Sequence, residues 1–302
     1  MTNNRTFDTI IVGGSYSGLS AAMTLGRSLR QVLVIDSGVP CNYQTPHSHN
    51  FITHDGHTPR EIAEAAKKQV EAYDTVHFHS GLAVNGKKAN DGFEITTEAG
   101  EVFTSRKQLF ATGIRDIMPD IRGFSDCWGI SVLHCPYCHG YEVRNKKTGL
   151  ILNGDMALEF AKMINHWTKD LTLFTNAPST LTSEQTNLLK RHNIQINEKE
   201  IEAFSHKNGY VQTMHFKDGS ECPMTTLYTR ADFIQHCPIP EQLDCTLNDK
   251  GLIEVDMLQK TSVDGIYASG DNSSFGRAVS LSVASRAMAG MALNKEMIEE
   301  DF

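Results

Sequence analysis

The sequence has no apolar run long enough to cross a bilayer and no excess of positive charge. Its 302 residues include 28 lysines and arginines against 36 aspartates and glutamates, which gives a formal net charge of -8. Nothing in such a chain would neutralise phosphates in a stripe, which argues against nucleic acid as its main partner. No apolar signal segment stands at residues 1–5. We therefore expect a cytoplasmic protein without a membrane anchor.

Cysteines are also too few and too irregularly spaced for a disulfide framework: there are seven. In a reducing compartment, a cysteine pair at fixed spacing is typical of chemistry rather than of stapling. Cys135 and Cys138 form such a pair, in the run Cys-Pro-Tyr-Cys-His. Two cysteines at this spacing can close a small disulfide ring whose thiolate attacks other disulfides. His139 follows directly and can move protons to and from a thiolate, so the run predicts a redox dithiol with His139 as its base.

Three other interpretations of this run are weaker. Attachment of a c-type haem needs export, for which the sequence has no signal. A structural zinc site needs a second ligand pair, but Cys222, Cys237 and Cys245 stand singly. Two buried cysteines that only pack remain the default at random spacing. We predict no metal site.

The N-terminal region predicts a unit that binds a dinucleotide. A strand at 7–12 leads into Gly-Gly-Ser-Tyr-Ser-Gly at 13–18, a helix from 19 to about 29 and a second strand at 32–35. The first glycine permits a tight turn, the last lets the helix approach the strand, and the helix N-terminus offers N–H groups to a pyrophosphate. An acid at the end of the second strand can accept from a ribose hydroxyl, and a serine departs from the usual central glycine. The candidate cofactor residues here are Gly13, Gly14, Ser15, Ser17, Gly18 and Asp36.

Further nucleotide signals follow. Short strands between 76 and 111, including separate strands at 102–105 and 108–111, end in Ala111-Thr112-Gly113. Near the C-terminus, a strand at 265–271 ends in Gly270-Asp271, and a helix begins at about Ala278 and Val279. This aspartate can bind a ribityl hydroxyl, and the helix N-terminus can stabilise a reduced flavin. An ordinary turn aspartate is the alternative. The loop at 41–57, with four histidines, is predicted to lie around the cofactor, and a metal site in it is the lesser alternative.

In order and rough spacing, these motifs resemble the low-molecular-weight thioredoxin reductases over nearly the whole chain. The resemblance implies an α/β fold of two Rossmann-like three-layer nucleotide-binding domains, the second inserted into the first. It implies FAD in a domain made of 1–115 and 231–302, and an inserted domain at 116–230 that carries the cysteine pair. It also implies a homodimer, with Cys138 facing the flavin and Cys135 exchanging with the substrate.

Two departures from this family change the expected chemistry. At 152–157, where NADPH should be held, only Gly154 remains of the glycines, and Asp155 adds a negative charge. No arginine follows the next strand at 175–177, so we expect NADPH binding to be lost or much weakened, with binding through unusual contacts as the alternative. The common reductases have aspartate after the second cysteine. His139 makes the run similar to the branch that contains the gliotoxin and holomycin dithiol oxidases.

The leading hypothesis is therefore an FAD-dependent dithiol oxidase that passes electrons to dioxygen. A thioredoxin reductase that uses NADPH or ferredoxin is the second hypothesis, and an FAD-containing redox sensor with little turnover is the third. The partner is accordingly a small dithiol or disulfide, or a thioredoxin-like protein.

Overall fold

The computed structural model describes residues 6–302 except for the side chains at 285 and 286; the segment at 1–5, considered above for a signal, lies outside the described residues. Up to residue 117 the elements are β1 (Thr6–Val12), α1 (Tyr16–Arg27), β2 (Val32–Asp36), α2 (Pro59–Val70), β3 (Val76–Ser80), β4 (Ala83–Ala89), β5 (Gly92–Thr97), β6 (Val102–Phe110) and β7 (Ile114–Ile117). They are followed by α3 (Phe124–Cys127), β8 (Val132–Leu133), α4 (Pro136–His139), β9 (Thr148–Ile151), α5 (Gly154–Ile164), β10 (Leu171–Phe174), α6 (Ser183–Arg191), β11 (Gln195–Asn197), β12 (Ile201–Lys207), β13 (Tyr210–Phe216), β14 (Glu221–Pro223) and β15 (Thr226–Thr229). The last elements are β16 (Asp232–Gln235), α7 (Ile239–Gln242), β17 (Ile266–Ala268) and α8 (Val279–Asp301).

The chain divides into two compact units. Unit 1 comprises Met1–Tyr43, Phe51–Arg115 and Phe233–Phe302, and unit 2 comprises Gln44–Asn50 and Asp116–Asp232. Strands β7 and β16 pair with each other where the chain passes between the units. The predicted boundaries assigned the whole of 1–115 to the first domain, whereas Gln44–Asn50 cluster with the second unit.

Unit 1 is built on a seven-stranded sheet with the order β3-β2-β1-β6-β5-β4, and β17 also pairs with β6. The pairs β1–β2, β1–β6, β2–β3 and β6–β17 are parallel, so the carboxyl ends of these strands share one edge. Helices α1 and α8 cover one face through side chains such as Leu25 and Leu293. The other face packs on α7 and its flanking loops through residues such as Phe110 and Ile239. Unit 1 therefore has three layers, and the carboxyl ends of its parallel strands lie at one edge of the sheet.

Unit 2 contains a smaller parallel sheet with the order β11-β10-β9-β15-β8 and an antiparallel ribbon β12-β13-β14. Leu150 and Leu173 on the sheet pack with Leu158 of α5 and Leu189 of α6. On the opposite face, the sheet packs on the ribbon through side chains such as Phe174. This unit is also a three-layer α/β arrangement, with β8 leading directly to the cysteine pair.

One predicted interruption between two strands of unit 1 is wrong. Separate strands are predicted at 102–105 and 108–111, but β6 is continuous from Val102 to Phe110. Lys107 is only 6% exposed, and its ammonium pairs with Glu296 and Glu300 of α8. A buried lysine is tolerated in a strand when acids neutralise it. Those acids lie about two hundred residues later in the sequence, so no local pattern reveals them. Within 6–302, no helix meets the length and apolar character that a membrane span requires.

Candidate active site

Cys135 and Cys138 form a disulfide in unit 2, with their Cα atoms 5.3 Å apart. Cys135 is the N-cap of the short turn α4, and Pro136 occupies its first helical position, where a missing N–H costs nothing. The Cys135 sulfur accepts a hydrogen bond from the Cys138 backbone N–H at 3.2 Å. Because an N–H donor favours negative charge on sulfur, this contact stabilises a Cys135 thiolate once the ring opens.

The other five cysteines lie outside this disulfide, and two of them are unsuited to this chemistry. Burial raises the pKa of Cys127 to about 11 and that of Cys237 to about 11. Both therefore stay protonated thiols at neutral pH, and a thiol is a poor nucleophile.

His139, the residue after Cys138, is partly buried. Burial, and secondarily the charge of His49, lower the pKa of His139 from 6.5 to about 4. The imidazole is therefore neutral at neutral pH and has a nitrogen available to accept a proton. A carboxylate at this position would oppose thiolate formation next to it, whereas a neutral imidazole does not.

His49, a partner of His139, and Glu142, a partner of His49, were not found by sequence reasoning. The imidazole of His49 lies edge-on to that of His139, with ring centroids 6.4 Å apart and planes at 89°. His49 Nδ1 lies 3.6 Å from a carboxylate oxygen of Glu142. The whole histidine-rich loop at 41–57 is predicted from the sequence to lie around the cofactor. In the structure, Gln44–Asn50, which include His49, cluster instead with the unit that holds the disulfide.

In unit 1, the predicted glycine motif lies where β1 turns into α1. Gly13 has φ +104°, and a Cβ there would lie 2.3 Å from the carbonyl oxygen of Ala111. A Cβ on Gly18 would lie 1.8 Å from the Gly13 oxygen, so only glycine permits this approach of helix to strand. Ser15 is the N-cap of α1, and its side chain makes no capping hydrogen bond. Ser17 serves the protein itself, since its hydroxyl donates to the carbonyl of Ser269 at 3.0 Å.

Asp36 lies at the end of β2, beside this turn. Its carboxylate accepts hydrogen bonds from the backbone N–H groups of Gly14 at 2.9 Å and Gly38 at 3.2 Å. A carboxylate has further lone pairs and can accept from ribose hydroxyls as well. The turn, the helix N-terminus and the acid therefore lie together as an ADP moiety requires.

Ala111, Thr112 and Gly113 follow β6, next to the end of β17. The amide of Asn272 donates to the Phe110 carbonyl at 2.9 Å and to the Thr112 hydroxyl at 3.3 Å. Asn272 is fully buried, and its Oδ1 has no hydrogen-bond partner among the side chains and backbone groups that the structure describes. A buried acceptor of this kind fits a donor on a bound group. Asn272 was missed by sequence reasoning because a turn asparagine alone carries no cofactor signal.

The last predicted cofactor residues lie at the loop before α8. Gly270 has φ +116°, and Asp271 points its carboxylate to within 3.6 Å of the Arg277 guanidinium. Ala278 is the N-cap of α8 and Val279 its first residue. Gly13, Asp36, Ala111 and Gly270 thus follow neighbouring parallel strands at one edge of the unit 1 sheet. These residues fit a dinucleotide such as FAD.

The corresponding turn of unit 2, after β9, is filled by its own side chains. The Asn153 carboxamide oxygen accepts hydrogen bonds from the N–H of Gly154 at 2.9 Å, the N–H of Thr180 at 2.9 Å and the Thr180 hydroxyl at 3.1 Å. Asp155 accepts from the Gln185 amide at 2.7 Å. The start of α5, where a pyrophosphate would bind, is therefore capped and carries an additional negative charge.

No group of three or more His, Cys, Asp or Glu side chains in the described part of the chain is arranged to hold a metal ion.

Comparison with known proteins identifies the family and agrees with the two-unit α/β fold. The family model for pyridine nucleotide-disulphide oxidoreductases matches residues 7–289. The thioredoxin reductase tcpT of Claviceps purpurea is 30% identical over 99% of this chain and 97% of its own length. The crystal structure of HlmI has a TM-score of 0.93 at 28% identity, covering 100% of this chain and 95% of that one. That of an oxidoreductase from Agrobacterium tumefaciens has a TM-score of 0.92 at 33% identity, covering 98% and 99%. The predicted two-domain Rossmann-like α/β fold and the thioredoxin reductase-like resemblance are confirmed.

Proposed function

Because the chain belongs to the pyridine nucleotide-disulphide oxidoreductase family, as an FAD-binding oxidoreductase of the thioredoxin reductase type, we propose that it is a dithiol oxidase that does not depend on a nicotinamide nucleotide. The observation that carries this proposal is Asn153, whose carboxamide holds three hydrogen bonds in the turn where NADPH would need free backbone N–H groups. The residues of unit 1 that fit FAD and the disulfide of unit 2 are retained, although the turn at Asn153 has changed. Electrons then enter from a dithiol rather than from NADPH.

The chain's own residues account for the exchange chemistry. His139 takes the proton of one substrate thiol, and the resulting thiolate attacks the Cys135 sulfur. The Cys135–Cys138 bond breaks, and its electron pair remains on Cys138. The second substrate sulfur, after losing its proton, attacks the first and releases Cys135. One substrate disulfide forms, and two electrons and two protons remain with the protein.

FAD, when bound, supplies the two-electron acceptor through which these electrons leave for dioxygen. FAD would be held by four parts of unit 1: the turn at 13–18, Asp36, the segment 111–113 and the 270–272 loop with Asn272. In this proposal, Cys138 is the sulfur that passes electrons on, and Cys135 is the one that meets the substrate.

A reductase that serves a thioredoxin-like protein is the second candidate. The relative from Claviceps purpurea carries the name thioredoxin reductase, and that observation favours it. The same cysteines would work in the opposite direction, with electrons from NADPH or from ferredoxin. The homodimer and the cytoplasmic location remain predictions.

An anaerobic titration separates the two directions. A small dithiol such as dithiothreitol is added to one sample of the FAD-loaded protein, and NADPH or NADH to another, while the visible flavin absorbance is followed. We expect bleaching by the dithiol alone, with colour and hydrogen peroxide returning when air is admitted. Rapid stoichiometric bleaching by NADPH would overturn the proposal and establish an ordinary reductase.

A further inference from the structure

His49 is brought to the redox site from a segment of the chain about ninety residues away. Gln44–Asn50 cluster with unit 2, and a Cβ on Gly129 would lie 3.0 Å from the Thr45 hydroxyl, so this segment packs tightly. His49 is 19% exposed at its side chain and lies between His139 and Glu142. A titratable ring held between a proton acceptor and a carboxylate can control which of them is charged.

Glu142 lies next to the His49 ring. Its oxygen lies 3.6 Å from His49 Nδ1, which is an ion pair when the imidazole is protonated. Its charge also acts inward on Tyr228 of β15, whose pKa is raised by burial and by this carboxylate. The Tyr228 hydroxyl is buried and has no hydrogen-bond partner among the described residues. Glu142 is 38% exposed, and its charge acts both on His49 and on the buried Tyr228 hydroxyl.

We propose that His49, held by Glu142, is a positioning residue that keeps His139 uncharged and ready to take the proton of an incoming thiol. This inference rests on the proposed function, since it names a residue that supports the same proton transfer. His49 itself need not touch the substrate.

Other titratable groups surround this cluster. The ring of His47 lies 6.4 Å from that of His49. The ring of His134, before Cys135, lies 5.7 Å from that of Trp128 and is tilted to it by 32°. The two cysteines are joined in the oxidised protein and do not titrate. His49 is the ring in edge contact with His139, and its charge lowers the pKa of His139.

The test is an NMR titration of His139 in the oxidised, FAD-loaded protein, with the resonance assigned by its loss in His139→Gln. The His139 midpoint is expected near 4 in the wild type. His49→Asn removes the charge and is expected to raise the midpoint by about one pH unit or more. Glu142→Gln is expected to raise it by less. His47→Asn, on the same segment, is the matched control and leaves it in place.

A second readout is the pH dependence of anaerobic flavin bleaching by dithiothreitol. The acidic limb of the rate profile is expected to move upward with the His139 midpoint in His49→Asn, with about a tenfold lower rate one pH unit below the new midpoint than on its plateau. If both His49→Asn and Glu142→Gln leave the midpoint and the limb where the wild type has them, the inference is wrong. If His49→Asn does not fold, Glu142→Gln decides alone. If dithiothreitol bleaches no protein, the proposed function fails, while the NMR midpoint still tests His49.

Discussion

The carboxamide oxygen of Asn153 accepts a hydrogen bond from the backbone N–H of Thr180 at 2.9 Å. It thereby joins the turn before α5 to the loop before α6. We predict that Asn153→Ala lowers the free energy of unfolding by about 1–2 kcal/mol, because an N-cap and a loop anchor are lost together. We also predict that the variant does not gain NADPH binding, because Asp155 remains and no arginine is present at 175–177.

Urea unfolding and calorimetric titration with NADPH measure these two outcomes. Asn187→Ala is the control, because Asn187 is exposed on α6 and its loss should change stability by less than about 0.5 kcal/mol. Submillimolar NADPH binding by Asn153→Ala would show that this one side chain, rather than the whole turn, blocks the nucleotide.

The two cysteines should fail differently when each is replaced. In Cys138→Ser, Cys135 remains able to attack, so we expect a stable mixed disulfide with an added disulfide probe and no dithiol oxidation. In Cys135→Ser, oxidation is also lost, but the mixed disulfide forms much more slowly. Mass spectrometry of the intact protein detects the adduct. Cys41→Ser, which replaces an exposed cysteine outside the disulfide, should retain wild-type turnover. Faster adduct formation in Cys135→Ser would reverse the assigned roles.

His139 should make the oxidised protein sensitive to mild acid. Its pKa is lowered from 6.5 to about 4 in the folded state, so between these values the unfolded chain binds more protons. The free energy of unfolding should therefore fall as pH drops from 6.5 to 4, by an amount on the order of 2 kcal/mol after allowance for partial exposure. His139→Gln should remove this part of the loss. Parallel urea series at several pH values test it; equal slopes for both proteins would contradict the prediction.

The sequence predicts the parts of this molecule that local rules govern. Gly18 is required by its close approach to the Gly13 backbone within a single β–α–β unit, and Cys135 and Cys138 lie in one short turn. Such features depend on neighbours a few residues away, so their spacing alone reveals them. The same holds for the changed turn at 152–157, where the loss of glycines is visible without a structure.

Contacts between distant segments are not visible in this way. His49 reaches His139, and Lys107 reaches Glu296, because the fold brings together residues that no periodicity connects. The sequence marked 41–57 as rich in histidine but gave no means of dividing it between the two units. It also predicted a role for Ser17 as a cofactor contact, although its hydroxyl bonds to Ser269.

The end of α8 should depend on Glu296 for its stability. Burial alone raises the pKa of this carboxyl, but hydrogen bonds from Lys107, Tyr267 and Lys260 lower it to about 2. Glu296→Gln leaves the buried Lys107 with only Glu300, so we expect a loss of about 2–3 kcal/mol at pH 7. The difference between the proteins should vanish as pH falls from 4.5 to 2.

Urea unfolding of both proteins measures this. Glu299→Gln is the control, because its ion pair with Lys295 is exposed on both sides and should contribute less than about 0.5 kcal/mol. A similar loss in both variants would mean that the helix end responds to any charge removed there.

Asp36 should decide how tightly the flavin is held. Its carboxylate binds the Gly14 and Gly38 N–H groups and retains lone pairs for ribose hydroxyls. Asp36→Asn keeps an acceptor for Gly14 and hence the fold, but it removes the charged acceptor. We expect FAD to bind roughly ten- to a hundredfold more weakly, as the loss of one charge-assisted hydrogen bond predicts. The flavin-to-protein ratio after purification and quenching of FAD fluorescence on titration into flavin-free protein measure this. Asp91→Asn, in an exposed turn of the same unit, should bind FAD like the wild type. Unchanged affinity in Asp36→Asn would show that the carboxylate only shapes the turn, and the pyrophosphate site at the start of α1 would then provide most of the binding energy.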